Sequence, residues 1–368
     1  MRRLRSRQSP VDTGAAPGGK CSTLQAEDGC GGMTRLPSLQ GGAGGGWSGT
    51  GDVAHPQPTL PLKGEGQKER GMAAEHVKSW QVGDVTISRI VELWDFRDDI
   101  HMTMPDATPE EVIALDWLHP HYATPEGQQR MNFQGFVVQT PDKVIVVDSC
   151  IGAGRERDFD VFCNLPEGFL EDLASLGITR EQVDIVFCTH LHFDHVGWNT
   201  YKDPETGTYK PTFPNARYLF GKTEYEAWEK VLRHDGVHSD GHLVECVDPI
   251  VALGMADFID TDHRICPELT CEPSHGHTPG HIHVRIESKG ESAVITGDLM
   301  HHPMQCAMPH RDATFDMDKD AGRATRVAFV DTYKDSGILI VGAHFAEPTA
   351  GHFETGADGK VWFRGLGL

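Results

Sequence analysis

A short apolar stretch that runs directly into a cluster of histidines constrains this chain more than any other feature. Residues 183–189 read VDIVFCT, a run with the length and β-branched composition of a buried strand. The next residues, 190–195, read HLHFDH, so three imidazoles and one carboxylate collect where the strand ends. Because loops gather at one edge of a sheet and carry function there, this edge is the first candidate site.

The HLHFDH segment predicts a metal site. His190 and His192 lie two residues apart at a strand end, so their rings can converge on one ion. Asp194 and His195 follow on the turn and can reach a second ion, and imidazole and carboxylate are ligands that Zn²⁺ accepts. The alternative is a solvated His-rich turn, because the chain has 21 histidines and other H-x-H pairs. The D-H pair after H-x-H, directly behind a strand, favours the metal site.

Three later segments present further ligands in the same way. Residues 274–281 read SHGHTPGH, a loop rich in Gly and Pro that offers His277, while His281 is interpreted as structural. The apolar run AVIT is followed by Gly and Asp298, and the run ILIV is followed within three residues by His344. Each side chain lies just past a strand, and we therefore expect them to meet at one edge.

From residue 77 onward the pattern alternates between strands and helices. Residues 133–150 are two apolar runs split by TPDK, and a second such pair surrounds SKGES, so both predict hairpins. Apolar residues at helical spacing predict helices, which are residues 165–176, 223–232 and 320–334. Hairpins followed by alternating strands and helices indicate an α/β fold with two mixed β-sheets face to face and helices outside.

The motifs together resemble a known family. H-x-H-x-D-H, G-H-T-P-G-H, G-D and a strand-end histidine occur in this order over roughly residues 80–365. This order resembles the signature of the metallo-β-lactamase-fold hydrolase superfamily, and the stretches GDLMHH and VGAHFAEPTAGH are most similar to the branch containing methyl parathion hydrolase and the acyl-homoserine lactonases. The resemblance implies an αββα four-layer sandwich. It also implies a first metal held by His190, His192 and His277, a second held by Asp194, His195 and His344, and a bridging Asp298.

The resemblance implies a binuclear hydrolase. Two divalent ions, Zn²⁺ first with Fe, Mn or Co as alternatives, would share a metal-bridging hydroxide that attacks a lactone, an ester or an organophosphate triester. Asp194 is expected to act as ligand and proton acceptor. His301 would polarise an oxygen or protonate a leaving group, although it could equally be a pocket-lining residue. True β-lactamases have a cysteine where Asp298 stands, so β-lactam hydrolysis is not expected.

The same ligand set also occurs in other classes of this fold. Iron-dependent oxidoreductases such as persulfide dioxygenases, and thioesterases like glyoxalase II, share the motifs. Only 24 residues follow His344, which argues against the flavodoxin domain of a flavodiiron protein. Metal analysis with an oxygen-uptake assay would separate these alternatives.

Substrate and partners are less constrained by the sequence. Trp94, Trp117 and Trp198 are predicted to line the substrate pocket, with core packing as the alternative for each, and they favour an apolar or aromatic small molecule. The net charge of −21 disfavours nucleic acid and anionic membranes. Nine scattered cysteines without a C-x-x-C pair fit a reducing, cytoplasmic compartment. A homodimer is compatible with the sequence but not indicated by it.

Residues 1–71 differ in composition from the remainder. They hold 16 of the 41 glycines and show no apolar periodicity, so they are predicted to be a disordered extension. An alternative is that Met72 is the true start of the protein. In both cases residues 72–368 are predicted to form the hydrolase domain.

Overall fold

The computed structural model describes residues 65–67, 76–230, 232–234 and 241–368. The strands within these ranges are β1 (Glu65–Gln67), β2 (Lys78–Val82), β3 (Val85–Asp98), β4 (Gln129–Gln139), β5 (Val144–Val147), β6 (Ile185–Cys188), β7 (Thr200–Lys202), β8 (Tyr209–Pro211), β9 (Arg217–Gly221), β10 (Ala256–Ile259), β11 (Arg264–Cys266), β12 (Leu269–Pro273), β13 (Ile282–Ser288), β14 (Glu291–Ile295), β15 (Leu339–Val341), β16 (Ala350–Thr355) and β17 (Val361–Gly365). The α-helices are α1 (Pro109–Ile113), α2 (Gly168–Ser175), α3 (Phe193–Val196), α4 (Lys222–Lys230), α5 (His242–Cys246), α6 (Asp248–Ala252), α7 (Met304–Ala307) and α8 (Lys319–Tyr333). Across the described ranges, every helix is too short or too polar to cross a bilayer.

Two large sheets dominate the architecture. The first has the order β1-β3-β4-β5-β6-β9-β10, and β2 pairs with another part of the long strand β3. The second contains β11 to β17 in chain order, and β7 and β8 form a small ribbon. Both large sheets are mixed, since β5, β6, β9 and β10 run parallel in the first and β14 and β15 run parallel in the second.

Successive side chains along a strand face opposite sides of the sheet and therefore pack into different hydrophobic cores. One core lies between the sheets, and one lies under the helices on each outer face. In β5, Val146 packs into a cluster that contains Phe169 of α2 and Trp228 of α4, whereas its two neighbours pack into the core between the sheets. In β15, Ile340 packs with Phe329 of α8, and its two neighbours again join the core between the sheets. Strands that are apolar on both faces need a covering layer on each side. The predicted αββα arrangement is therefore confirmed.

The predicted hairpins are present and the predicted helices are placed correctly. β4 pairs with β5 around residues 140–143, and β13 pairs with β14 around the SKGES turn. The helix predicted over residues 320–334 begins one residue earlier, because the Asp318 side chain caps it by accepting a hydrogen bond from Ala321 N.

The segment predicted to be disordered contains one strand. Glu65–Gln67 pairs antiparallel with β3, where Glu65 lies opposite Arg97 and Gln67 opposite Trp94. These three residues form an edge strand of the first sheet, and disorder over the rest of residues 1–71 stays a prediction. Residues 1–64 lie outside the described ranges, and the domain boundary at residue 72 stays a prediction.

The core between the sheets should dominate the stability of the fold. Phe136 is fully buried there, so Phe136→Ala is expected to lower the free energy of unfolding by about 3–5 kcal/mol through lost burial and a residual cavity. Phe258→Ala on the edge strand β10, where the side chain is 43% exposed, should cost less than about 1 kcal/mol. Urea denaturation followed by circular dichroism measures both values, and equal losses would contradict this assignment of the core.

Candidate metal centre

The parallel strands β14 and β15 place two of the predicted ligands side by side. Ile295 is paired with Val341 at the ends of these strands. Asp298 and His344 each follow three residues later, in matching positions after the paired residues. Because parallel strands end at the same edge, both side chains reach the same space.

The strand β6 brings the HLHFDH segment to this edge from the other sheet. It ends at Cys188, and the backbone N–H of Ile282 donates to the carbonyl oxygen of Thr189 over 3.0 Å. This bond joins the start of β13 in the second sheet to the residue before His190. The two sheets are thus tied together directly beside the cluster.

The first group consists of His190, His192 and His277. His190 Nε2 lies 2.9 Å from His192 Nδ1, and His277 Nε2 lies 3.2 Å and 2.9 Å from the same two atoms. A neutral imidazole has only one N–H, and His190 Nδ1 already lies 3.0 Å from the Thr189 hydroxyl, so three converging nitrogens cannot all be paired with one another. Ligands at about 2.0–2.1 Å from a tetrahedral zinc lie about 3.3 Å apart, which is close to the spacing found here.

The second group consists of Asp194, His195 and His344. Asp194 Oδ2 lies 3.6 Å from His195 Nε2 and 3.5 Å from His344 Nε2. The opposite ring nitrogens face other partners, since His195 Nδ1 lies 3.0 Å from Asp148 Oδ2 and His344 Nδ1 donates to the Asn132 carbonyl over 3.0 Å. Such contacts fix the ring orientation and leave Nε2 directed at the shared space.

Asp298 stands between the two groups with one oxygen towards each. Its Oδ2 lies 3.8 Å from His190 Nε2 and 3.5 Å from His277 Nε2. Its Oδ1 lies 3.3 Å from His195 Nε2 and 3.2 Å from His344 Nε2. All seven predicted ligands therefore fall into two groups that share Asp298, and the ligand atoms of each group lie within 4.8 Å of one another.

The donor set fits divalent cations. Within the described part of the chain, Asp298 Oδ1 and His195 Nε2 are buried and have no hydrogen-bond partner. A buried polar atom without a partner is costly, and a cation between these atoms would satisfy both. Of the seven residues only His192 is partly exposed, so solvent reaches the centre from its side.

The electrostatics prepare the centre for cations. Burial alone would raise the pKa of Asp298. The facing rings of His195, His344 and His301 together lower it by a larger amount, so the pKa lies well below its usual range. Burial holds the pKa of His190 and of His277 well below the usual range. His190 and His277 therefore present neutral imidazoles beside an ionised carboxylate.

The opposite shift occurs in the second group. Burial lowers the pKa of His195 and of His344, but the carboxylates of Asp298 and Asp194 outweigh it, so both pKa values are raised. These two imidazoles compensate the buried negative charge of the carboxylates.

The backbone around Asp298 is fixed by a neighbouring histidine and a glycine. His281 Nε2 accepts a hydrogen bond from Asp298 N over 2.8 Å, and burial lowers the pKa of His281 to about 3. Gly297 has a φ of +53°, and a Cβ at this position would lie 2.7 Å from His281 Nε2. A glycine is therefore required before Asp298, and the structural interpretation of His281 agrees with its contacts.

His301 lies inside the centre, a position compatible with both the catalytic and the pocket-lining role expected from the sequence. Its Nε2 is 3.2 Å from Asp298 Oδ2, and its ring stacks on His344 with 5.6 Å between centroids. The side chain is buried, and its Nδ1 has no hydrogen-bond partner within the described residues. It belongs to neither ligand group.

The predicted pocket position of Trp198 is wrong. Trp198 is 3% exposed, stacks on Phe169 at 5.8 Å, and donates from Nε1 to Glu92 Oε1 over 2.7 Å. It belongs to the core beneath the helices. Proximity in sequence to the metal ligands does not determine direction, because the turn Gly197–Asn199 directs the indole towards α2.

The other two predicted tryptophans also lack a contact with the centre in the described structure. Trp94 is partly buried on β3, next to His76 at 5.3 Å and under the Arg89 guanidinium at 5.1 Å. Trp117 is partly buried at the margin of the core under α8. Neither position supports a pocket role.

A different set of aromatic residues borders the centre. We call this set the aromatic wall, and it consists of Phe133, Phe162, Phe193 and Phe315. Phe133 packs edge-on against His344 at 4.9 Å, and Phe315 packs against His301 at 5.6 Å. Phe162 links Phe133 to Phe193, which follows His192 directly. The position of Phe193 inside HLHFDH, directly after a predicted ligand, is a sequence signal for this wall.

The comparisons with known proteins agree with this fold. Residues 134–308 match the family model described as "Metallo-beta-lactamase superfamily". An N-acyl homoserine lactonase of Bacillus sp is 28% identical over 172 residues, which cover 44% of this chain and 60% of the relative. The N-acyl homoserine lactonase AiiA of Bacillus thuringiensis subsp. kurstaki is 26% identical over the same length. The chain thus spans about 60% of the length of the curated relatives it matches.

Solved structures show the same architecture. The hydrolase AbOPH of the beta lactamase superfamily superposes with a TM-score of 0.65 at 21% identity, covering 80% of this chain and 98% of that one. AidC, a dizinc quorum-quenching lactonase in complex with a product, gives 0.64 at 20% identity, covering 79% and 98%. At these identities the likeness establishes the fold.

The corrected position of Trp198 gives a test. Trp198→Phe removes the N–H that pairs with the buried Glu92 carboxylate, so the free energy of unfolding should fall by about 1–3 kcal/mol while the bound metal stays unchanged. Trp94→Phe, at a partly buried position, should cost less than about 1 kcal/mol. Denaturant titration and metal analysis measure the two effects, and an unchanged stability of Trp198→Phe would contradict the core position.

Proposed function

We propose that this protein is a metal-dependent hydrolase with a binuclear centre. The observation that carries the proposal is the Asp298 carboxylate, which directs one oxygen to each of two groups of buried ligands. His190, His192 and His277 would hold the first ion, and Asp194, His195 and His344 the second. The names of the lactonase relatives support a hydrolase of this kind.

Bound divalent cations supply Lewis acidity and lower the pKa of water towards neutrality, and zinc is the first candidate, with Fe, Mn or Co as alternatives. The residues of the chain supply the rest. His190 and His277 stay neutral by burial, and Asp298 stays ionised, so these three ligands need not lose a proton on loading. His195 and His344, whose pKa values are raised, would release a proton when an ion binds. Asp194 is proposed to accept a proton during turnover, and His301 to polarise or protonate a substrate oxygen.

The substrate is proposed to be a small apolar lactone or ester. The aromatic wall contacts the rings of His344 and His301, so an apolar group of the substrate would lie next to the reacting atoms. Two curated relatives are named N-acyl homoserine lactonase, which makes an acyl-homoserine lactone the first compound to try. Organophosphate triesters are the second class, since the same centre can polarise a phosphoryl oxygen. A cytoplasmic location and a homodimer stay predictions from the sequence.

The bridging role of Asp298 can be tested by replacement. Asp298→Ala should lower the metal content from two ions per chain to one or none, and should lower hydrolysis by roughly 100-fold or more, because both groups lose a shared ligand. Asp331→Ala, which removes an exposed carboxylate paired with Lys334, is the control and should keep both ions. Metal analysis by mass spectrometry and kcat/KM are the measurements.

The same preparation decides the reaction class. The zinc-loaded protein is compared on N-hexanoyl homoserine lactone, a nitrophenyl ester and methyl parathion, and the lactone or ester should give the highest kcat/KM. Two ions retained in Asp298→Ala with full activity would contradict the site. Oxygen uptake by the iron-loaded protein, without hydrolysis of any of the three compounds, would favour an oxidoreductase instead.

His301 should act on the substrate rather than on the metal. His301→Ala is expected to lower kcat by about 10²–10⁴-fold, the usual contribution of a general acid or base, while both ions remain bound. The exposed His310→Ala is the matched control and should leave kcat unchanged. If His301→Ala loses an ion, its 3.2 Å approach to Asp298 reflects a ligand role and the proposed catalytic role is wrong.

A further inference from the structure

A buried carboxylate on α4 bonds to both loops that carry the first ligand group. Glu224 is 1% exposed, and its Oε1 accepts a hydrogen bond from the backbone N–H of Leu191 over 3.2 Å. Its Oε2 accepts another from Gly280 N over 2.9 Å. Leu191 lies between two ligands, and Gly280 lies in the loop of His277. One side chain thus links the two loops on which the first group depends.

The Leu191 peptide is held from its other side as well. His242, the first residue of α5, donates from Nε2 to the Leu191 carbonyl oxygen over 2.8 Å. Trp228 donates from Nε1 to Glu224 Oε1 over 2.8 Å, and its ring packs edge-on against His192 at 5.9 Å and His242 at 5.1 Å. Both hydrogen-bonding groups of the peptide between His190 and His192 are therefore committed to α4 and α5.

The loop of His277 contacts α4 without an intervening side chain. A Cβ built on Gly280 would lie 2.2 Å from the backbone nitrogen of Glu224. This distance is far inside van der Waals contact, so only glycine permits the approach. The last glycine of G-H-T-P-G-H is therefore explained by packing against the helix that carries Glu224.

The second ligand group has its own supports. His195 faces Asp148, and His344 is bonded to the Asn132 carbonyl, as described above. Of the backbone donors bound by Glu224, Leu191 stands between His190 and His192, and Gly280 lies three residues after His277. The second-group ligands of the same segment lie further along it, on the helix Phe193–Val196. The hydrogen bonds of Glu224 thus hold the backbone next to ligands of the first group.

We propose that Glu224 is a positioning residue that sets the affinity of the first group, His190, His192 and His277, for its metal ion and leaves the second group nearly unaffected. This inference rests on the proposed binuclear function. A glutamine has the same size, but its amide replaces one acceptor oxygen with an N–H₂ that faces a backbone N–H. The loop then loses one hydrogen bond, and its backbone N–H is repelled by the amide N–H₂. The ligand side chains are consequently held less firmly in position.

The test compares two variants of the same helix. Glu224→Gln should weaken binding of one zinc ion about 10–100-fold, the usual effect of losing a group that orients ligands, while the other ion binds as in the wild type. Glu226→Gln is the matched control, since Glu226 lies two residues away and pairs with Lys230 at the surface. Chelator competition on metal-stripped protein gives both zinc dissociation constants, and the absorption spectrum of the Co²⁺-loaded protein reports ligand geometry.

The possible outcomes are distinct. Wild-type dissociation constants in Glu224→Gln, or an equal loss at both sites, would overturn the proposal. If the wild-type protein binds no metal, the proposed function is wrong, and the proposed role of Glu224 is wrong with it. If Glu224→Gln does not fold, Trp228→Phe removes one donor to the same carboxylate and should weaken the same single site, and an unchanged affinity there would overturn the proposal.

Discussion

The structure depends on a buried carboxylate that faces five imidazoles. Asp298 has its oxygens within 3.8 Å of ring nitrogens of His190, His195, His277, His301 and His344. A buried charge of this kind costs several kcal/mol unless nearby groups compensate it, by the order of magnitude known for buried ions. The strands that deliver these residues come from both sheets, so the compensation is achieved only when the whole sandwich has formed. Folding and assembly of the centre are consequently one event.

Further carboxylates lie behind the ligand loops and fix them. Asp148 accepts hydrogen bonds from Thr189 N and Oγ1 over 2.8 and 2.9 Å, and also faces His195. Asp316 pairs with Arg326 through Oδ2 over 3.0 Å, and its Oδ1 lies 3.8 Å from His277 Nδ1. Asp148 thus helps to orient the His195 ring, whereas the Asp316 carboxylate lies beyond hydrogen-bond distance from the His277 ring.

Two more buried carboxylates, Glu92 and Glu224, bind loop backbone, and each also accepts a hydrogen bond from a tryptophan Nε1. Glu92 accepts hydrogen bonds from Ile151 N over 2.6 Å and from Gly152 N over 3.1 Å. Burial raises the pKa of Glu92 and of Glu224, while the surrounding N–H donors oppose the shift. The loops of the centre are therefore rigid because irregular backbone is hydrogen-bonded to buried side chains, where a sheet or helix would supply its own partners.

The sequence indicated the candidate ligands because each lies near a strand end, and strand ends meet at a sheet edge, whereas their division into two groups was implied by the family resemblance. The β4–β5 hairpin and the helix ending at Tyr333 were predictable for a similar local reason, since their apolar periodicity is uninterrupted. Trp198 was misplaced because its direction depends on a turn and on a partner, Glu92, more than 100 residues away. Glu224 was missed since an acidic residue in the first turn of a helix is ordinary, and only tertiary packing buries it. The strand Glu65–Gln67 has too few residues for any periodicity.

The central claim is that one carboxylate serves two metal ions. A crystal structure of the zinc-loaded protein, with anomalous diffraction recorded on both sides of the zinc absorption edge, tests it most directly. Two anomalous peaks should lie on either side of the Asp298 carboxylate, one contacted by His190, His192 and His277 and the other by Asp194, His195 and His344. A single peak, or two peaks that do not share Asp298, would contradict the account.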